Sequence, residues 1–214
     1  MKIYLSPSGQ IHNEYADGKH TEAEICRRIA DKCSEYLTRA GIENKIAKPY
    51  DNDAQWKNRC TESDEFGADY HVPIHTNAGG GHGTRIFVSC EANKKNQKVV
   101  AIFDGIKKLL PDKFKQGSIS VKTDLYEINK PKAKTIYIEC AFHDNKEEAQ
   151  WIINNIDDIA KAIAEGLAGK DIARYDTNAK LYRVQVGAYS KKENAEKMQK
   201  ELEAKGYQTI IKEG

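Results

Sequence analysis

Between residues 2 and 168 of this 214-residue chain, short apolar runs alternate with longer segments of helical period. No other feature limits the fold as much. Strands separated by helices imply an α/β fold: a mainly parallel central sheet with helices on both faces. Lys2–Leu5 is the first expected strand. Thr21–Ala40 is expected as a helix, because Ile25, Ile29, Cys33 and Leu37 recur on one face. Thr21 and Glu24 have the form of a capping box, and Gly41 closes the segment. Asn44–Ala47, Tyr70–His75 and Thr84–Ser89 read as strands, and Asn93–Leu110 as a helix stopped by Pro111. Thr135–Cys140 reads as a strand covered on both faces, and Lys146–Leu167 as one long amphipathic helix. In such a sheet, functional side chains gather at the carboxyl ends of the strands.

The apolar period lapses over residues 169–180 and resumes afterwards. Leu181–Tyr189 alternates as a strand should, a helix opens at the Ser190/Glu193 capping box, and Tyr207–Lys212 reads as a closing strand. The expected organisation is therefore a domain at 1–168, a linker at 169–180 and a small βαβ module at 181–214. So short a module holds too little core to stand alone. It is expected to pair with a second copy, giving a homodimer, or to dock elsewhere.

Thirty-four basic side chains against 32 acidic ones leave a net charge of +2, which excludes the strongly basic footprint of a general nucleic-acid binder. No run approaches the ~20 apolar residues of a membrane span. The start, Met1–Pro7, lacks the apolar core of a secretory signal, so the chain is expected to stay cytoplasmic unless something else releases it. Five scattered cysteines without a C-x-x-C pair fit reduced, mostly buried thiols.

Candidate chemistry concentrates in two strands and one loop. His75 ends the strand Tyr70–His75 and faces the loop that follows, where a ligand or base belongs; a structural histidine is the competing reading. Glu139 lies inside the apolar run Ile136–Phe142. Carboxylates are rarely buried unless paired, and desolvation would raise the pKa towards that of a general base working near neutrality. A structural ion pair is the alternative. His12 and Glu22 flank the polar loop between the first strand and first helix, with Glu22 in the helix's first turn. With His75 they supply two imidazoles and one carboxylate, the composition of a catalytic zinc site that keeps one position open. The glycines at 79–81 lack the Lys-Ser/Thr of a phosphate-binding loop and lead into a strand, so they read as a flexible loop beside the site.

The segments HVPIHTNAGGG, TEAEICRRIADKCSEYL and IYIECAFHDNKEEAQWI together resemble the zinc-dependent N-acetylmuramoyl-L-alanine amidases of the amidase-3 type. The likeness spans about residues 1–168 and fits best the phage endolysins and autolysins of clostridial-type Gram-positive bacteria. It implies that His75 and Glu22 are zinc ligands and that Glu139 is the catalytic carboxylate. The family's usual DPGHGG is replaced by Ser6–Asn13, which makes His12 the best match for the first ligand, with His20 as the alternative. Asn77, just past His75, is a candidate for orienting substrate. Residues 181–214 resemble half of a SPOR-type repeat, which implies binding to peptidoglycan glycan strands.

The expected activity is hydrolysis of the amide joining N-acetylmuramic acid to L-alanine by a zinc-activated water, with peptidoglycan glycan strand and stem peptide as partners. A zinc carboxypeptidase is the first alternative. It would want an arginine for the substrate's terminal carboxylate, and Arg85 is the nearest. A non-catalytic cell-wall-binding protein is the second.

Overall fold

The computed structural model describes residues 1–49, 56–174, 185–204, 207 and 209–212. They form two units, Met1–Ala173 and Arg174–Gly214.

In the first unit the strands are β1 (Lys2–Pro7), β2 (Glu43–Ile46), β3 (Tyr70–Asn77), β4 (Thr84–Val88), β5 (Gly117–Val121), β6 (Lys134–Thr135) and β7 (Tyr137–Phe142). The sheet runs β2-β1-β3-β7-β4-β5, with the short β6 also paired to β3. Pairings are parallel except β4 with β7, which is antiparallel. The helices are α1 (Glu22–Arg39), α2 (Trp56–Phe66), α3 (Gln97–Leu109), α4 (Tyr126–Asn129), α5 (Lys146–Asn154) and α6 (Ile156–Ala168). The chain leaves β1 through α1 to reach β2, then returns through α2 to β3 on the other side of β1. The carboxyl ends of β1 and β3 therefore border a point where the strand order reverses, the usual place for a ligand crevice.

Strand alternation divides the sheet into two unlike faces. One carries Ile3, Leu5, Val72, Ile74, Ile86 and Ile138, all fully buried against the apolar sides of α1, α3 and α6. Gly166 of α6 makes part of this packing possible: a Cβ there would lie 2.5 Å from Ile102 Cγ1 of α3. The other face is polar. It presents Tyr4, Ser6, His71, His75, Tyr137 and Glu139, and part of it is covered by α2 and α4. Tyr4 donates to Glu62 of α2 (2.8 Å), while Ser6 (2.6 Å) and His71 (3.1 Å) both meet Glu127 of α4.

Several elements differ in extent from expectation. The segment read as one helix over 93–110 is a 3-10 turn (Glu91–Lys95) followed by α3, because the Asn96 side chain accepts from Lys98 N and starts a new helix. The helix expected over 146–167 breaks at Asn155, whose side-chain amide donates to Trp151 O. Residues 169–173 are not a free linker: Gly169 caps α6, and buried Ile172 donates its N–H to Glu165. All five cysteines are free, four of them buried.

In the second unit the described residues form one helix, α7 (Lys192–Ala204), with Tyr207 N donating to Leu202 O. Among the described residues no strand flanks this helix, where a βαβ pattern was expected: 185–189, 207 and 209–212 belong to none. The beginning of the first expected strand, 181–184, lies outside the described residues. Val186, Tyr207 and Ile210 are 62%, 62% and 82% exposed. A strand's backbone groups need a neighbouring strand, and half a repeat offers too little apolar surface to hold two edge strands together.

Candidate active site

Glu22 opens α1 at the crevice between β1 and β3. Thr21 is the N-cap, its hydroxyl accepting from Glu24 N, so the capping box expected from sequence sets where the helix begins. That start places Glu22 at the strand ends, 1% exposed. His75, 7% exposed, brings Nδ1 to 2.8 Å from Glu22 Oε1, and Thr76 N adds a longer bond to the same oxygen (3.4 Å). The His75 ring stacks on Tyr137 with centroids 4.6 Å apart. The β3–β7 register places Glu139 beside His75, and it shifts between His75 and Asn77. Such irregularities occur next to active sites, where they re-aim side chains.

Two buried polar atoms here have no hydrogen-bond partner, His75 Nε2 and Glu139 Oε2. Buried polar atoms are ordinarily satisfied, so two orphans on neighbouring side chains mark a place built for something other than protein. The electrostatics agree. Burial pushes the Glu139 carboxyl up to about 7; His75 opposes the rise and Glu22 adds to it. Burial acts in the same sense on Glu22, but the His75 hydrogen bond and charge overcome it and hold Glu22 below the usual carboxylate range. His75 is raised: burial works against its charged form, and Glu22 outweighs burial.

The structure brings Glu22, His75 and Glu139 together but not His12. His12 is exposed in a turn, and among the described residues no three His, Cys, Asp or Glu side chains converge as a metal-binding group. The physical reason is local. The next residue, Asn13, is the one turned inward, its amide donating to Glu22 Oε2 at 2.5 Å, and the Ser8 hydroxyl also bonds Glu22. His20 is engaged elsewhere, its Nδ1 lying 2.6 Å from Asp17 Oδ2. Asn77 directs its side-chain oxygen onto the N–H of Ala78, and its backbone carbonyl accepts from His143.

Residues that sequence reasoning passed over hold the site's walls. Tyr15 donates to the Thr76 hydroxyl (3.1 Å) and stacks on His143, which lies 3.0 Å from the same hydroxyl. These contacts fasten the loop before α1 to the end of β3. The glycine loop expected to be flexible is latched from the segment after β7. Asp144 accepts from Gly79 N and Gly80 N, and fully buried Glu148 accepts from Gly83 N, Phe142 N and the His82 ring. The sequence HDNKEE carried the signal: acidic residues beside an Asn helix cap, following directly on the strand that holds Glu139.

Comparison with known proteins identifies the reaction. Residues 6–169 match the N-acetylmuramoyl-L-alanine amidase family, and residues 132–213 match the SPOR domain, a span reaching back into the first unit. The sporulation-specific N-acetylmuramoyl-L-alanine amidase of Bacillus subtilis (strain 168) is 24% identical over 217 residues, 99% of this chain and 84% of that protein. N-acetylmuramoyl-L-alanine amidase CwlM of Bacillus licheniformis is 24% identical over 78% of this chain and 65% of its own length. Among solved structures, the catalytic domain of CwlV from Bacillus (Paenibacillus) polymyxa var. colistinus superposes with a TM-score of 0.68 at 18% identity, covering 78% of this chain and 96% of that one. The catalytic domain of the CD27L endolysin gives 0.64 at 22% identity, covering 81% and 99%. A sheet with one polar face, a raised carboxyl at its rim and a family match over most of the length lead to one conclusion: the chain belongs to the N-acetylmuramoyl-L-alanine amidases, hydrolysing the peptidoglycan amide between N-acetylmuramic acid and L-alanine.

Proposed function

We propose that this amidase works with a zinc ion held by Glu22 and His75, and that Glu139 is its general base. The observation that carries this reading is the buried contact between Glu22 Oε1 and His75 Nδ1, two donor atoms facing one point, beside the Glu139 carboxyl whose Oε2 has no hydrogen-bond partner. Imidazole nitrogen and carboxylate oxygen are the donors catalytic zinc sites use. His12, exposed in the turn that Asn13 ties to Glu22, is the third donor of the proposal and would complete the set by turning inward. When bound, zinc supplies Lewis acidity: it polarises the scissile carbonyl and makes water acidic enough to be deprotonated near neutral pH.

The chain's own residues do the rest. Glu139, with its carboxyl near 7, accepts the proton of the attacking water and passes it to the alanine nitrogen as the C–N bond breaks. Tyr137 stacks beneath the His75 ring and fixes its plane. Asn13 and Ser8 hold the Glu22 carboxylate in one orientation. Asn77, at the mouth of the site, orients the substrate.

Residues 181–214 act in this proposal as a glycan-binding module that completes its fold by pairing with a second copy or by docking. The SPOR match and the exposed Val186, Tyr207 and Ile210 support this. An endolysin or autolysin role, with release by lysis or a holin-like partner, is part of the same reading. No helix among the described residues is long and apolar enough to cross a membrane.

The test is digestion of purified cell wall combined with zinc quantification. An amidase frees alanine amino termini and carries zinc that is lost on substitution of Glu22 or His75. Release of single terminal residues instead would point to a carboxypeptidase. Wall binding without any release would point to a binding protein.

A further inference from the structure

Arg85 stands opposite Glu139 in the antiparallel β4–β7 register, so the two side chains leave the same face of the sheet. Opposite charges so placed ordinarily attract across the strands. Here they form no ion pair. Arg85 Nη1 donates to the backbone carbonyls of His82 (3.0 Å) and Thr84 (3.1 Å), and the guanidinium lies over the Phe142 ring, 5.5 Å from its centroid. Among the described residues no carboxylate pairs with Arg85, and Nε and Nη2 have no partner.

The platform beneath the guanidinium is fixed. Phe142 ends β7, its N–H is held by buried Glu148, and its ring fills the space a side chain at Gly81 would need, with a Cβ there only 2.4 Å from Phe142 Cζ. Along the same face Phe87 lies 6.0 Å from Tyr137, and Lys122 sits over Phe87 while pairing with Asp124. This flank of Glu139 is therefore aromatic and cationic, with one guanidinium held half-buried and its remaining donors unmatched. A guanidinium fork suits a carboxylate, which can accept two parallel bonds.

We propose that Arg85 is a specificity-determining residue that binds a free carboxylate on the peptide side of the scissile amide. The inference rests on the amidase reading above. In that substrate the carboxyl group of muramic acid is consumed by the amide itself, so the free carboxylates lie in the peptide. The carbonyl tethers at His82 and Thr84 also keep the guanidinium from closing onto Glu139, which leaves that carboxyl unpaired for its own role.

The experiment uses two soluble muramoyl peptides that differ only in the residue after L-alanine, one with a free α-carboxylate and one with that carboxylate amidated. They are compared in the full-length protein and in Arg85→Gln and Arg85→Lys variants. The wild type is expected to prefer the free carboxylate. Arg85→Gln should raise KM for that peptide roughly 10–100-fold with kcat little changed, the worth of a charged hydrogen-bonded contact, and leave KM for the amidated peptide unaltered. Arg85→Lys should recover part of the loss. Equal handling of both peptides by the wild type, or equal losses on both in Arg85→Gln, overturns the proposal while the amidase reading stands. A wild type that frees alanine amino termini from neither peptide overturns both.

Discussion

Asn13 Nδ2 donates to Glu22 Oε2 across 2.5 Å, while the other oxygen of the same carboxylate lies 2.8 Å from His75 Nδ1. One carboxylate thus joins the loop after β1 to the end of β3, two segments far apart in sequence. Its orientation is set by neighbours on both sides, which is what a metal ligand requires of its supporting groups.

Zinc retention should follow that geometry. Glu22→Ala and His75→Ala are expected to abolish stoichiometric zinc after purification. His12→Ala should weaken retention, and Asn13→Ala should lower affinity about 10–100-fold as the loss of a supporting hydrogen bond. Metal analysis after dialysis against a weak chelator reads all four. Wild-type retention in His12→Ala would remove that residue from the ligand set.

Replacing Glu139 with Gln keeps the size of the side chain and removes the base. Turnover should fall roughly 10²- to 10⁴-fold with zinc content unchanged. The pH profile should carry the same information. A base with its carboxyl near 7 gains activity as pH rises through that value, and a cation on Glu22 and His75 would pull the limb lower. Rate measurements between pH 5 and 8 should therefore show an acid limb at or below about 7 in the wild type, absent from the residual activity of Glu139→Gln. An unchanged limb in the variant would assign it to another group.

The fold was legible where period and caps agreed. Thr21 and Glu24 placed the start of α1, and Ile25, Ile29, Cys33 and Leu37 are its fully buried face. Helix α2 gave no such signal, since WKNRCTESDEF is polar on nearly every side and buries Arg59, Cys60 and Ser63 against the sheet's polar face. Strand β5, GSISV, is too short and small-residued to stand out. In the site, Glu139 was conspicuous as a lone acid in an apolar strand and Glu22 as an acid in a first turn. Which residue of Gln10–Asn13 turns inward was not legible, because that depends on a turn closed by bonds from Asn13 N to Gln10 O and from Glu22 N to Asn13 O. The unpaired state of Arg85 was equally hidden, since register and tether exist only once β4 lies against β7.

The glycine loop makes a separate prediction about stability. Gly83 has φ +77°, and a Cβ there would lie 2.0 Å from the Gln116 carbonyl oxygen. Its N–H also feeds the Glu148 latch. Gly83→Ala should cost about 1–3 kcal/mol from backbone strain alone, with the clash adding to it. Gly79→Ala has positive φ but nothing within 4 Å, so its cost should be the strain alone. Denaturant melts of the two variants compare the sites directly. Equal losses would mean that the Gln116 carbonyl yields freely.

Glu127 gives the fold an acid-sensitive joint away from the reacting carboxylate. Burial works to raise its carboxyl, but the hydrogen bond and charge of His71, with Ser6, hold it below the usual range. A depressed carboxyl contributes stability that is complete above its unfolded value, near 4.5, and is lost as pH falls through the lower folded value. The wild type should therefore lose stability steeply below about pH 4.5, with other depressed carboxyls such as Asp144 adding to the slope. Glu127→Gln should flatten part of that slope, because an amide does not titrate. It should also lower stability at pH 7, where the charge-assisted bond from His71 to Glu127 is lost. Urea unfolding midpoints from pH 3 to pH 7 test both signs at once. If the variant kept the full acid slope, the His71–Glu127 contact would contribute nothing to the pH dependence of the fold.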